Sequence, residues 1–176
     1  MTHKRRFEGG AGAAALMTAL ELGHWVTQET SSWSSTIVVT FNCRTKVQNA
    51  TGRYIQPDEA LVRKSITLTC NMIDRAVHGK KVQRFSHRIP RIPFLEFGAD
   101  RGWHCHVLIE PPYFMRRETF VDTVRQCWEK SPCGSTCHVR DGDEGSAGYL
   151  TKVRSKDALE VWTDTLIVEA VVLRTK

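Results

Sequence analysis

Hydrophobic positions along the chain alternate between strand-like and helix-like spacing. Runs rich in β-branched or aromatic residues predict five strands, at residues 36–42, 92–98, 103–110, 138–140 and 165–174. Apolar residues at helical spacing predict helices at about 11–27, 57–79 and 116–130, and acidic residues followed by Lys and Arg predict a short helix at 141–156. The two strands around the short turn 99–101 predict a hairpin, so at least part of the sheet is antiparallel. The pattern favours an α+β fold with a central, mainly antiparallel five-stranded sheet flanked by helices.

Length and composition fit one folded domain. The chain has 176 residues, of which 41% are hydrophobic and 25% charged, so global disorder is not expected. We expect a domain over residues 31–176, preceded by an N-terminal extension, residues 1–30, that is helical in part. No hydrophobic run approaches the length of a membrane span, and no membrane partner is expected.

Charge and cysteine usage narrow the class of partner and compartment. The formal net charge of +6 and the sequence pI near 9.1 favour an anionic partner, of which nucleic acid is the commonest. Six cysteines lie mostly in predicted strands and helices, which predicts buried free thiols in a reducing compartment. Cytoplasmic localisation is therefore expected. A zinc knuckle is an alternative for three of these cysteines, Cys127, Cys133 and Cys137, together with His138, but they lack the C-x2-C pair of such sites.

Two histidines interrupt the apolar stretch WHCHVLIE, residues 103–110. Buried imidazoles are costly unless their nitrogens find partners. Because side chains alternate faces along a strand, His104 and His106 share one face, with Cα atoms roughly 6.5–7 Å apart. That spacing allows both rings to bind one ion.

A third ligand follows from the pairing of the predicted hairpin. If the turn centres on Asp100, Glu96 lies directly opposite His104 on the same face, at ligand-sharing distance. Two imidazoles and a carboxylate with open coordination positions are typical of a catalytic site for Mg²⁺ or Mn²⁺, with Zn²⁺ less favoured. The alternative is that both histidines are structural and donate to backbone carbonyls.

The sequence GYLTK, residues 148–152, holds a candidate nucleophile. Tyr149 and Lys152 lie at i and i+3 of the predicted helix 141–156, so they are neighbours on one face. A free tyrosine hydroxyl has a pKa of about 10, and a nearby ammonium favours its reactive phenolate form. A single tyrosine is also a common packing residue between helix and sheet, so this pair alone does not define an active site.

Taken in chain order, TIVVTFN (residues 36–42), Glu96 with the H-x-H pair, and YLTK resemble the HUH endonucleases. More narrowly, they resemble the single-tyrosine replication initiators of rolling-circle plasmids and small single-stranded DNA viruses. Relaxases, which are similar, carry the tyrosine before the histidines. The resemblance spans roughly residues 36–156. It implies that Glu96, His104 and His106 hold a divalent metal, that Tyr149 is the nucleophile and that Lys152 assists it.

The resemblance implies transesterification without ATP, at a replication origin. Tyr149 displaces a 3′-OH from single-stranded DNA or an origin hairpin and leaves a 5′-phosphotyrosine link, which starts rolling-circle replication. In a eukaryotic virus the host nucleus would be the compartment. No G-x-x-x-x-G-K-[ST] loop occurs, so we expect either a separate helicase, acting with a polymerase, or an excised nuclease domain. One departure is Cys105, where the family commonly has a bulkier apolar residue.

A basic segment precedes the histidine hairpin. It is expected to contact DNA phosphates through Lys80, Lys81, Arg84, Arg88 and Arg91, although a solvated surface loop would have the same composition. Asn42 and Arg44, just after the first strand, are candidates for the same groove. Two other functions stay open: a single-strand transposase of the HUH superfamily, and a basic nucleic-acid-binding module without catalysis.

Overall fold

A computed structural model of the chain describes residues 19–143, 146 and 166–174. One antiparallel sheet has the strand order β4-β5-β1-β6, with β1 at Ile37–Cys43, β4 at Arg91–Gly98, β5 at Gly102–Ile109 and β6 at Gly134–Asp141. A small separate pair comprises β2, Val47–Gln48, and β3, Tyr54–Ile55. The helices are α1 (Ala19–Thr30), α2 (Glu59–His78), α3 (Lys81–Phe85) and α4 (Arg117–Glu129), with a 3₁₀ helix at Val168–Ala170. The predicted α+β class is confirmed.

The two faces of the sheet are covered differently. On one face, alternate residues of the strands, such as Phe41 and Val107, pack against α2 and α4 in the main core, where the Phe41 and Trp128 rings lie 4.7 Å apart. On the other face, α1 packs Leu22 and Val26 against a second cluster. That second cluster occupies one end of its face, and the other end carries polar side chains.

The long helix α2 begins and ends where the sequence predicts. The Asp58 carboxylate accepts a hydrogen bond from the Leu61 amide at 2.8 Å and so caps the first turn. Gly79 ends the helix with a φ of 56°, a conformation that favours glycine. Between these ends, buried residues at helical spacing face the main core: Val62, Ile66, Cys70 and Ile73.

The prediction of a fifth strand at 165–174 is wrong for the described part of the chain. Two isolated bridges, Phe94 to Leu166 and Arg91 to Val172, join this segment to the outer edge of β4. Two residues lie between the bridged positions on β4 and five lie between them on the last segment, which accommodates the extra residues in the 3₁₀ turn. Pro93 lies between the bridged positions and has no N–H to donate, so a continuous ladder cannot form along this edge.

Smaller differences concern ends and connections. The strand β6 is longer than the predicted 138–140, and the segment 43–56, expected to be irregular, contains the β2–β3 pair. A short helix, α3, lies within the basic segment. The predicted helix 141–156 lies largely outside the described residues, as does the start of the predicted helix 11–27. Within the described ranges, no helix is long and apolar enough to cross a membrane.

A buried ion pair links α2 to the edge strand β4. The Asp74 side chain is fully buried and accepts hydrogen bonds from Arg91 Nη1 at 2.6 Å and Nη2 at 2.9 Å. Arg91 is 4% exposed and also donates from Nε to the Ala170 carbonyl. The prediction that Arg91 contacts DNA is therefore wrong, because its guanidinium is enclosed and already paired.

Replacing Asp74 with alanine is expected to destabilise the fold by about 3–5 kcal/mol, since it leaves the Arg91 charge buried without a counterion. Urea denaturation measures this loss. As a control, Glu59→Ala removes an exposed pair with Arg63 and should change the free energy of unfolding by about 0.5 kcal/mol or less. Equal effects of the two substitutions would contradict a structural role for the buried pair.

Candidate metal centre

The β4–β5 hairpin has the register that the sequence predicts. Glu96 pairs with His104, and Gly98 pairs with Gly102 at the turn. Gly102 has a φ of 66° in this tight turn. A residue without a Cβ adopts this left-handed conformation at little cost. The pairing places Glu96, His104 and His106 on the same sheet face, at the end that α1 does not cover.

These three side chains, which we call the triad, converge on one point. The Glu96 Oε2 atom lies 3.3 Å from His104 Nε2 and 3.8 Å from His106 Nε2. One ligand atom from each residue lies within 4.8 Å of the other two. An ion about 2.1 Å from each ligand holds them at most about 4.2 Å apart, so both contacts of Glu96 already fit. Among the described residues, this is the single group of three or more potential ligands whose ligand atoms all lie within 4.8 Å of one another.

The other ring nitrogens fix how the two imidazoles point. His104 Nδ1 lies 3.2 Å from the Gly102 carbonyl oxygen, and His106 Nδ1 lies 3.0 Å from the Thr40 hydroxyl. A carbonyl only accepts hydrogen bonds, so the contact with Gly102 places a proton on His104 Nδ1 and leaves Nε2 directed at the Glu96 carboxylate. Two electron-rich atoms 3.3 Å apart require a proton or a cation between them.

The electrostatics of the triad also indicate that a proton or a cation lies between His104 and Glu96. The hydrogen bond with Glu96 raises the pKa of His104 above its ordinary value, against the opposing effect of burial. The His104 side chain is 8% exposed and that of Glu96 is 27% exposed, so the site is enclosed on one side and open on the other. Such a site can bind an ion and still admit a substrate.

The Thr40 hydroxyl is a supporting group that sequence reasoning missed. It lies on β1 directly across from His106, inside a stretch that the sequence identifies only as a strand former. Strand alternation could have found it, because Thr40 and Asn42 are the polar residues on that face of β1. Residues that orient metal-binding histidines in this way commonly affect metal affinity strongly.

Thr40→Val, which keeps the side-chain shape and removes the hydroxyl, is expected to weaken Mn²⁺ binding about tenfold by freeing the His106 ring. Isothermal titration calorimetry measures the affinity. Thr123→Val, on α4, is the matched control and should bind the ion like the parent, since its hydroxyl bonds its own helix at Thr119. A parent-like Thr40→Val would show that the hydroxyl does not position the ring.

Metal affinity is also expected to fall on acidification. A cation and a proton compete for His104 Nε2, and the raised pKa starts this competition above the ordinary histidine value of about 6.5. Below that raised pKa, affinity should fall about tenfold per pH unit. NMR titration of the metal-free protein checks the cause, since Glu96→Gln should lower the His104 pKa. An unchanged pKa would contradict the assigned hydrogen bond.

The DNA-binding candidates fall into two groups. Asn42 lies directly across from His104 and donates to the Thr136 hydroxyl at 2.9 Å, and the exposed Arg44 follows at the same end of β1. The basic segment lies at the opposite end of β4. Glu96 is five residues from Arg91, where that strand begins, so Glu96 lies roughly 17 Å from the end of the basic segment. Closeness in sequence therefore does not bring the basic segment to the triad.

Within that segment the basic side chains differ. Lys80, Lys81 and Arg84 are exposed on or beside α3, whereas Arg88 is 35% exposed and donates to both Asp74 and Asn71. Tyr149 and Lys152 lie outside the described residues, so their predicted roles stay predictions.

The cysteines support the free-thiol interpretation. All six are free, five are buried, and burial raises the pKa of Cys43 to about 12 and that of Cys137 to about 11. Thiols with such values stay protonated near neutral pH and make poor metal ligands. The zinc knuckle does not form among the described residues, because Cys137 and His138 are consecutive in β6 and point to opposite faces.

The fold and site together define an α+β domain with a candidate divalent-metal centre on an antiparallel hairpin. No protein-family model matches the chain, and no curated protein matches it. Among solved structures, the chain is similar to the N-terminal nuclease domain of non-structural protein 1 from minute virus of mice. That match has a TM-score of 0.35 and 15% identity, and covers 89% of this chain and 72% of the viral one. The viral domain coordinates Zn²⁺ in its active-site pocket and recognises DNA at the origin of replication. A likeness at this TM-score does not bear on the chemistry of the triad.

Proposed function

We propose that this protein nicks and rejoins single-stranded DNA in a reaction that depends on a divalent metal. Glu96, His104 and His106 hold the ion, and Tyr149 is the nucleophile. The proposed substrate is single-stranded DNA or a hairpin at a replication origin, where the nick starts rolling-circle replication. A separate helicase then opens the duplex, and a polymerase extends the freed 3′ end.

One observation carries the metal-dependent part of this proposal. His104 Nε2 and the Glu96 Oε2 atom face each other at 3.3 Å, and His106 Nε2 lies 3.8 Å from the same oxygen. A site of purely structural histidines would direct both ring nitrogens to backbone or hydroxyl partners. Here one nitrogen of each ring has such a partner and the other is directed at a shared point.

The reaction exchanges one phosphodiester bond for another. The Tyr149 oxygen bonds to the phosphorus, the bond from phosphorus to the 3′ oxygen breaks, and the tyrosine's proton ends on the released 3′-OH. The same residues run the step in reverse to rejoin the ends. Lys152 assists by favouring the phenolate, since a neighbouring ammonium lowers the pKa of a phenol. The covalent link conserves the bond that hydrolysis would lose.

The residues present fit a hard or borderline divalent ion. When bound, it neutralises and polarises the phosphate that Tyr149 attacks. Of the two ions that the sequence favours, Mn²⁺ accepts imidazole nitrogen more readily than Mg²⁺, which prefers oxygen. Asn42 and Arg44 lie at the triad's end of the sheet and are the proposed contacts to the DNA beside the scissile phosphate.

Labelled single-stranded oligonucleotides that tile the protein's own replicon test the proposal. Incubation with Mn²⁺ should cut one of them at one position, whereas EDTA or the matching duplex should give no product. Cleavage at element ends rather than at an origin would support the transposase alternative. Tight binding without cleavage of any strand would favour the non-catalytic module and contradict the proposal.

A further inference from the structure

A second concave site lies at the opposite end of the hairpin from the triad. A cavity of about 550 Å³ opens between the segment before β4 and the segment after β5. Glu110 lines it and follows β5 directly, which places it about 13 Å from His106 and about 20 Å from His104 along the strand. We call this cavity the distal cleft. The triad residues do not line it.

Aromatic rings line the distal cleft in one connected series. Tyr113 contacts Phe114, with 5.6 Å between ring centroids, and Phe114 contacts His78 at 5.9 Å. His78 contacts His87 at 5.8 Å, and His87 contacts Phe85 at 6.0 Å. Three of these rings are largely open to solvent, with Tyr113 94%, Phe85 67% and Phe114 56% exposed. Large aromatic side chains grouped in this way on a surface are typical of binding sites.

A buried polar atom in the distal cleft lacks a partner. His78 Nε2 is inaccessible to solvent and has no hydrogen-bond partner in the described part of the chain. Burial lowers the pKa of His78, so the ring is neutral near pH 7. The ring therefore contributes an uncharged aromatic group beside His87 and Phe114.

The charge around the distal cleft is positive. Arg88 and Arg174 line it and pair with Asp74 and Glu110, whereas the exposed Lys81 and Arg84 lie on α3 just before Phe85. Its acidic residue, Glu110, is engaged, because it accepts hydrogen bonds from the Ser34 amide and hydroxyl and pairs with Arg174 at 3.4 Å. The cleft therefore combines open aromatic faces with basic side chains.

We propose that the distal cleft is a second binding site for single-stranded DNA, separate from the metal centre. Unpaired bases stack on Phe85 and Phe114, and α3 contacts the phosphates. Base stacking on aromatic rings beside a basic groove is the usual means of holding single strands without sequence readout. A duplex keeps its bases stacked inside, and an apolar peptide makes no use of the basic side chains, so a single strand suits this combination best.

Fluorescence anisotropy with an oligothymidine of roughly 16 nucleotides, the upper end of known single-strand site sizes, tests this proposal in the full chain. The assay contains EDTA, so it reports binding alone and does not depend on the proposed nuclease reaction. Phe85→Ala and Phe114→Ala should each weaken binding about tenfold, the loss of one base–aromatic stack. Arg84→Gln should reduce the slope of log affinity against log salt by about 0.7, one phosphate contact.

The matched control is Tyr54→Ala, which removes an equally exposed aromatic ring, 72% open, from the β2–β3 pair outside the cleft. It should bind like the parent, and circular dichroism should show that every variant is folded. Parent-like binding by both phenylalanine variants would assign the ring series to another partner, such as an apolar protein segment, and overturn the proposal. Equal competition by duplex DNA, or an equal loss in Tyr54→Ala, would overturn it as well.

Discussion

Tyr149→Phe is expected to bind single-stranded DNA as the parent does and to form no nicked product. The substitution removes one oxygen and keeps the ring, so contacts made by the ring survive while the proposed nucleophile is lost. No other group in the proposal can form the covalent bond, so nicking should fall below detection rather than by a modest factor. Anisotropy measures binding, and a denaturing gel of a labelled strand measures nicking.

The chain offers a matched control for this substitution. It contains three tyrosines, and Tyr54 is exposed on the β2–β3 pair and does not belong to the triad. Tyr54→Phe should nick at the parent rate. If Tyr149→Phe nicks as well as the parent, another residue is the nucleophile, and the proposed mechanism is wrong.

His106→Ala is expected to remove metal binding and nicking together. The substitution deletes one of three ligands from a site whose remaining pair, Glu96 and His104, is then satisfied by a proton alone. Since loss of a mere supporting group costs 10–100-fold in metal affinity, loss of a ligand should cost more than about 100-fold. Isothermal titration calorimetry with Mn²⁺ measures the affinity, and the cleavage assay measures the rate at saturating ion.

His138→Ala tests whether this effect is specific to the triad. His138 is exposed on β6 and lies opposite Thr40, so it shares the sheet face without belonging to the cluster. Its alanine variant should bind Mn²⁺ and cleave DNA like the parent. Equal losses in the two variants would mean that removal of either histidine from this sheet face impairs the protein, and that the effect is not specific to the triad. Parent-like metal binding by His106→Ala would mean that the ion binds elsewhere.

The sequence predicts the geometry of the candidate metal centre better than any other part of the molecule. The turn fixes which residues of a tight hairpin face each other, and strand alternation fixes which face they share. Both are local rules, so the pairing of Glu96 with His104 followed from the residues alone and is confirmed. The helix α2 was predictable for the same reason, since its cap, its apolar spacing and its terminal glycine are all local signals.

Features set by distant contacts were not predictable in this way. The last segment has strand composition, but Pro93 on the neighbouring strand interrupts the edge that it would need. Arg91 has the composition of a surface cation, but it pairs with Asp74, seventeen positions earlier on another element. In each case the structure depends on a residue of another element, and a single sequence does not identify which residue that is.

The most direct test of the proposed mechanism identifies the residue that carries the DNA. Parent protein is incubated with its cognate single strand and Mn²⁺ or EDTA, the DNA is trimmed with nuclease, and the protein is digested with trypsin for mass spectrometry. Cleavage after Arg140 and Lys152 gives the peptide DGDEGSAGYLTK, residues 141–152, which contains Tyr149. We predict a phosphonucleotide on Tyr149 in this peptide with Mn²⁺ and none with EDTA. A modification on any other residue, or no modification despite bound DNA, would contradict the proposed mechanism.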